Sequence, residues 1–169
     1  MNLNVDQLLN NLHSETEQLL NKLGIEQPLI IGIHTGGIWV AERLHAALGI
    51  HSKMGSLDIS FYRDDFSRLG LNPQVKPSQL PLDITDQHIV LVDDVLYTGR
   101  TVRAAMNELF DYGRPASVQL AVLVDRGGRE LPICAAVAGK RIDLPSNQQV
   151  KLTGPEPLQI EVVTIDSAK

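Results

Sequence analysis

The sequence predicts an α/β fold: a mostly parallel central sheet flanked by helices on both faces, with a small antiparallel addition from the C-terminal part. Three features predict it. Apolar, β-branched runs at 29–33, 89–92 and 118–124 have the length of strands buried on both sides. Segments with apolar residues at three- and four-residue spacing separate them. The last third loses this alternation and is broken by Pro145, Gly154, Pro155 and Pro157. Strands that alternate with helices imply parallel pairing, because each crossover helix covers one face of the sheet.

Val5, Leu8, Leu9, Leu12, Leu19, Leu20 and Leu23 form one apolar stripe, so an amphipathic helix opens the chain and stops at Gly24. Leu29 to Ile33 follows as a strand. After a small-residue turn, Ile38, Val40, Ala41, Leu44 and Leu48 return to helical spacing up to Gly49. Leu57, Ile59 and Phe61 alternate as a strand. The stretch from Phe61 to Ile89 carries Pro73, Pro77 and Pro81 with little periodicity, and a lid or binding segment is expected there in preference to a disordered connection. Ile89 to Val92 is a buried strand, Val102 to Leu109 a helix running up to Gly113, and Val118 to Val124 a further strand. Ile133 to Val137, Gln149 to Leu152 and Ile160 to Ile165 are expected as short antiparallel additions to one edge.

With 169 residues and 43% hydrophobic content, the chain is expected to be a single domain spanning 1–169. It has no run of the roughly 18 apolar residues that a membrane helix requires, and Met1 to Glu17 lacks the layout of a signal peptide. A cytoplasmic protein with no membrane partner is expected. Cys134 is the only cysteine, which excludes an intrachain disulfide, and it is expected to be a small core residue. The net charge of -5 argues against a general nucleic-acid coat, although a local basic face is compatible with a negative sum.

The strongest local signal runs from Ile89 to Thr101, where a buried strand ends in Asp93 and Asp94 and then passes through Tyr97-Thr98-Gly99-Arg100-Thr101 into a helix. Ligands of open parallel sheets bind at strand C-termini. Amides at the start of the helix, with two hydroxyls and a guanidinium beside them, make a phosphate site. Adjacent carboxylates repel each other and need hydroxyl or cationic partners, which sugar hydroxyls and hydrated Mg²⁺ both provide. A ribose phosphate satisfies all of these groups together. Taken singly, Asp94 or Thr98 could merely cap a helix and Gly99 serve a turn. A receiver domain also begins with a strand ending in two aspartates, but its pair lies near the N-terminus, and the later aspartate and lysine it requires are not found here in that order.

The string resembles the phosphoribosyl diphosphate signature of the type I phosphoribosyltransferases. The segments Asp58 to Asp65, Val92 to Ala105 and Val124 to Ile133 are similar to those of the PyrR family of pyrimidine operon regulators and uracil phosphoribosyltransferases. This resemblance covers most of the chain from Ile30 to Lys140. It implies transfer of a phosphoribosyl group from PRPP to uracil, giving UMP and diphosphate. Asp93 and Asp94 would hold the ribose hydroxyls and, through water, Mg²⁺; Tyr97, Thr98, Gly99, Arg100 and Thr101 would hold the 5-phosphate. His34-Thr35-Gly36-Gly37 resembles the pyrophosphate loop, so Thr35, Gly36 and Gly37 are expected to contact PRPP, with Gly36 standing where the family often has arginine. Arg63 in the long loop is expected to bring positive charge to the leaving group when the lid closes; alternatively it is a solvated arginine paired with Asp64 or Asp65.

Purine-transferring relatives have an aspartate base at the position of Tyr97. A neutral tyrosine is a poor base, which agrees with an acidic pyrimidine acceptor such as uracil. Uracil is expected beneath Val124, Asp125 and Arg126. Between Gly113 and Lys151 basic residues outnumber acidic ones, a pattern that is more often simply a solvated face. The resemblance nevertheless implies binding of pyrimidine leader mRNA, strengthened by UMP or UTP, through Arg129 and Lys140. Gly128 and Cys134 stand where the family commonly has histidine and arginine. A nucleotide-sensing regulator with little transferase activity or RNA binding is the alternative. A homodimer or higher homo-oligomer is expected from the same resemblance.

Overall fold

The computed structural model describes residues 1–59, 78–81 and 83–165. Helix α1 (Val5–Leu23) precedes strand β1 (Leu29–Ile33), helix α2 (Gly36–Leu48) and strand β2 (Gly55–Leu57). Strand β3 (His88–Leu96), helix α3 (Arg100–Phe110), and strands β4 (Ser117–Arg126) and β5 (Val137–Ile142) complete the central layer. The chain then forms a hairpin of β6 (Gln148–Thr153) and β7 (Gln159–Thr164). The main sheet has the order β2-β1-β3-β4-β5, and every neighbouring pair is parallel. The expected parallel sheet with helices is thus present; the antiparallel addition is a hairpin that forms its own two-stranded sheet and packs on the core shared with α1 and α2, and does not extend an edge of the main sheet as expected.

Strand alternation divides the core into two layers. Ile30, Val90, Val92, Ala121 and Leu123 face α1 and α2, meeting Leu8, Leu12, Leu20, Val40, Ala41 and Leu44. Their sequence neighbours Ile31, Ile89, Leu91, Leu120 and Val122 face α3, meeting Val102, Ala105 and Leu109. All five residues of β1 are buried, because both faces of the strand are covered. Helix α1 is closed at both ends by local chemistry. The Asn4 side chain accepts a hydrogen bond from Gln7 N at 3.0 Å, and Gly24 takes a left-handed φ of 67°.

Four further expectations require correction. β3 does not stop before the carboxylates; it pairs with β4 through Asp93↔Val122 and Leu96↔Asp125, so the aspartates stand on a strand braced from the side. β5 begins at Val137 and is a parallel member of the main sheet, because the crossover through Ile133 carries the chain over the α3 face before it pairs. Ile59 is fully buried but lies beyond β2, which ends at Leu57. Cys134 is exposed, since in the extended segment before β5 its neighbours Ile133 and Ala135 turn inward onto the α3 core. Phe61, Arg63 and most of the stretch expected to form a lid lie outside the described residues. Its described end returns to the sheet edge, where Ser56 and Gln79 exchange two backbone hydrogen bonds of 2.8 Å.

Candidate active site

β3 rises through the middle of the sheet and delivers Asp93 and Asp94 to its C-terminal end. Asp93 is 4% exposed and Asp94 half-buried. Each carboxylate is oriented by the next backbone amide: Asp93 Oδ1 accepts from Asp94 N and Asp94 Oδ1 from Val95 N, both at 2.9 Å. The loop between β1 and α2 reaches the same carboxylates from the side. The His34–Thr35 peptide in this loop is cis. A Cβ on Gly36 would lie 2.3 Å from Asp94 Oδ2, and one on Gly37 would lie 2.7 Å from Val92 O. At Gly37 the conflict is with the β3 backbone, so glycine is required for close approach; at Gly36 it is with the Asp94 side chain, which a larger residue would have to displace.

After Leu96 the chain turns sharply. Gly99, at φ 94°, precedes α3 without giving it a side-chain cap, while Thr98 Oγ1 accepts from Arg100 N at 3.3 Å. The carbonyls of the turn are taken up from behind by the segment after β4. Thr98 O accepts from Glu130 N at 3.0 Å and Leu131 N at 3.1 Å. Arg129 Nη1 donates to Leu96 O at 3.4 Å and also to Tyr97 O, and its other nitrogen pairs with Asp125. Arg100 Nε meets Glu130 Oε2 at 2.8 Å. Peptide units whose carbonyls are fixed at the back have their dipoles set in advance, which suits binding of an anion at the front.

A cleft of about 440 Å³ opens here, lined by Asp93, Asp94, Val95, Tyr97, Thr98, Arg100, Thr101, Arg126, Gln149 and Val150. Of the residues expected around phosphate and ribose, the cleft gathers all except Gly99, which is buried beneath the turn, and Thr35, Gly36 and Gly37 at the start of α2, of which Gly36 and Gly37 adjoin the carboxylates. Of the three expected near uracil, Arg126 lines the cleft. Val124 is fully buried in the α1 and α2 core, and Asp125 faces Arg129 and Arg141. Lys140 is exposed on β5 at the register of Val124, whereas Arg129 is half-buried against the turn.

Sequence reasoning missed Gln149 and Val150. They belong to β6, remote in the chain, and their local pattern signals only a short strand. The anchor that brings them in is Arg126, whose Nη1 donates to Gln148 O at 2.7 Å and whose guanidinium stacks 3.8 Å from the Tyr97 ring centre. Among the described residues no group of three or more His, Cys, Asp or Glu side chains is arranged to cage a metal ion. Paired hard-oxygen donors do fit Mg²⁺, which keeps water ligands and shares them with substrate oxygens.

A family model for the phosphoribosyl transferase domain matches residues 4–156. The bifunctional protein PyrR of Nitrosococcus oceani is 58% identical over 168 residues, covering 98% of this chain and 95% of that protein. The bifunctional protein PyrR of Pseudomonas aeruginosa is 55% identical over 165 residues, covering 98% and 97%. Among solved structures, a hypoxanthine-guanine phosphoribosyltransferase from Bacillus anthracis aligns with a TM-score of 0.67 over 83% of this chain and 82% of that one; at 18% identity this is a likeness of fold. The carboxylate pair, the braced turn and the glycine loop thus sit in a chain whose sequence agrees with such proteins almost end to end, and it belongs to the phosphoribosyl transferase domain family and, within it, to the PyrR family.

Proposed function

We propose that this protein transfers the phosphoribosyl group of PRPP to uracil and regulates pyrimidine genes by binding leader mRNA in response to uridine nucleotides. The observation that carries the reading is the convergence of Asp93, Asp94, the braced Tyr97–Thr101 turn and the Gly36–Gly37 loop at one end of β3, in a chain 58% identical to a bifunctional PyrR protein. In the reaction the bond from ribose C1 to the pyrophosphate oxygen breaks and a bond from C1 to uracil N1 forms, while the N1 proton is lost. Positive charge develops on the sugar and negative charge on the leaving oxygens.

The residues divide this work by position. Asp93 and Asp94 accept from the ribose hydroxyls and carry negative charge near the developing cation. The turn from Tyr97 to Thr101 holds the 5-phosphate with amides, two hydroxyls and the Arg100 guanidinium. Thr35, Gly36 and Gly37 offer backbone to pyrophosphate, and Arg63 supplies a cation from the long loop. Hydrated Mg²⁺, held by Asp93 and Asp94, would supply neutralising charge to the departing diphosphate. Uracil lies at the end of the cleft formed by Tyr97, Arg126, Gln149 and Val150. Its acidity lessens the need for a dedicated base, in keeping with a tyrosine at position 97. Lys140 and Arg129 contribute to an RNA-binding face on a homodimer or higher homo-oligomer.

Uracil-dependent release of diphosphate from PRPP, with magnesium present, tests the enzymatic half. Turnover that vanishes without uracil is the expected result. No turnover and no heat of UMP binding by the folded protein would reject it, whereas UMP binding without turnover leaves the nucleotide-sensing alternative.

A further inference from the structure

Arg126 ends β4 and is 2% exposed, yet it lines the cleft. A buried guanidinium needs compensation. Among the described residues its partners are carbonyl oxygens and a ring: Gln148 O at 2.7 Å, Leu144 O and Pro145 O at 3.4 Å, and Tyr97 at 3.8 Å. Its Nε is buried without a hydrogen-bond partner there. Hydrogen-bond satisfaction alone does not explain this placement, because Nε has no partner among the described residues while Cζ lies over the Tyr97 ring. The two things it joins are the wall of the cleft, through Gln148 beside Gln149 and Val150, and its floor, Tyr97.

We propose that Arg126 is a positioning residue for the nucleobase: it clamps the Tyr97 ring to strand β6 and so fixes the width of the slot that receives the acceptor base. This inference rests on the reading of the cleft as a uracil phosphoribosyltransferase site. The phosphate turn and the carboxylates have their own supports in Glu130 N, Leu131 N and the neighbouring amides. Loss of the clamp therefore weakens recognition of the base and spares the sugar phosphate. Lysine does not substitute, since a point charge neither stacks flat on a ring nor forks to separate carbonyls.

The experiment is calorimetry with UMP and with ribose 5-phosphate, magnesium present, on the whole protein and its variants. Arg126→Lys and Arg126→Met are each expected to weaken UMP by about tenfold while ribose 5-phosphate stays within about twofold. In turnover, the uracil KM rises while the PRPP KM holds. Should neither arginine variant fold, Tyr97→Leu removes the ring that Arg126 holds while keeping the turn's backbone amides, the Thr98 and Thr101 hydroxyls and Arg100, and is expected to give the same selective loss. UMP affinity unchanged in folded variants, or equal weakening of both ligands, overturns the proposal. Wild-type protein that binds no UMP overturns it together with the reading on which it rests; wild-type binding with unaffected variants overturns the clamp alone.

Discussion

Asp93 and Asp94 differ in surroundings although they are adjacent. Asp93 is enclosed under Gly37, while Asp94 lies against Gly36 and remains half-buried. In both, one oxygen is committed to a neighbouring amide, a bond that an asparagine carbonyl also accepts. Asp93→Asn and Asp94→Asn are therefore expected to melt close to wild type and to lose at least about 10²-fold in kcat, as for removal of other preorganised charge-stabilising groups. Melting followed by circular dichroism beside diphosphate release checks this; a variant that fails to fold would place the charge in the core's service. Gly36→Ala sets a methyl 2.3 Å from Asp94 Oδ2, so the carboxylate must shift. Displacements of that size cost up to about 10²-fold in rate, and the expected result is reduced turnover with an ordinary melting point. The aspartates were legible in sequence because they sit in one ordered string with the turn. That Gly36 touches Asp94 was not, because Gly36 opens α2 and Asp94 stands on β3, far apart in the chain and brought together only by packing.

At the scale of elements, helices were read most completely. The stripe of α1 and its glycine stop are local properties, and Asn4 adds a cap that the apolar pattern does not reveal. Asn4→Ala is expected to cost about 1 kcal/mol, measured by denaturant unfolding. Strand limits were read less well. The pairing of β3 with β4 carries it past Asp93 to Leu96, and polar residues at a strand end give no pattern from which this could be foreseen. Close packing of α1 on β5 is equally invisible in sequence. A Cβ on Gly139 would meet Leu8 O at 2.5 Å and Leu123 O at 2.7 Å, both backbone atoms. Gly139→Ala is accordingly expected to destabilise by about 1–3 kcal/mol, seen as a lower melting temperature with the cleft's ligand affinities little changed in the surviving folded fraction.

Across the whole molecule the charge is -5, yet Lys140 and Arg141, consecutive on the edge strand β5, are both exposed. If that edge meets RNA, binding in the presence of UMP falls with rising salt, and Lys140→Ala lowers the salt slope by about one. A filter-binding titration over a salt series measures it; an unchanged slope removes Lys140 from the interface. By itself the sequence determined the alternation of strands and helices, the carboxylate pair and the turn that follows it, because burial period, helix stops and a contiguous ligand string are all written within a few residues of each other. Only the tertiary structure decided which strand carries the aspartates onward, that β5 joins the sheet in parallel, and that the hairpin, tied down by Arg126, brings Gln149 and Val150 into the cleft that Tyr97 also lines. Those facts depend on pairing and packing between residues far apart in the chain, where each partner's local pattern fits many arrangements and only their joint burial selects one.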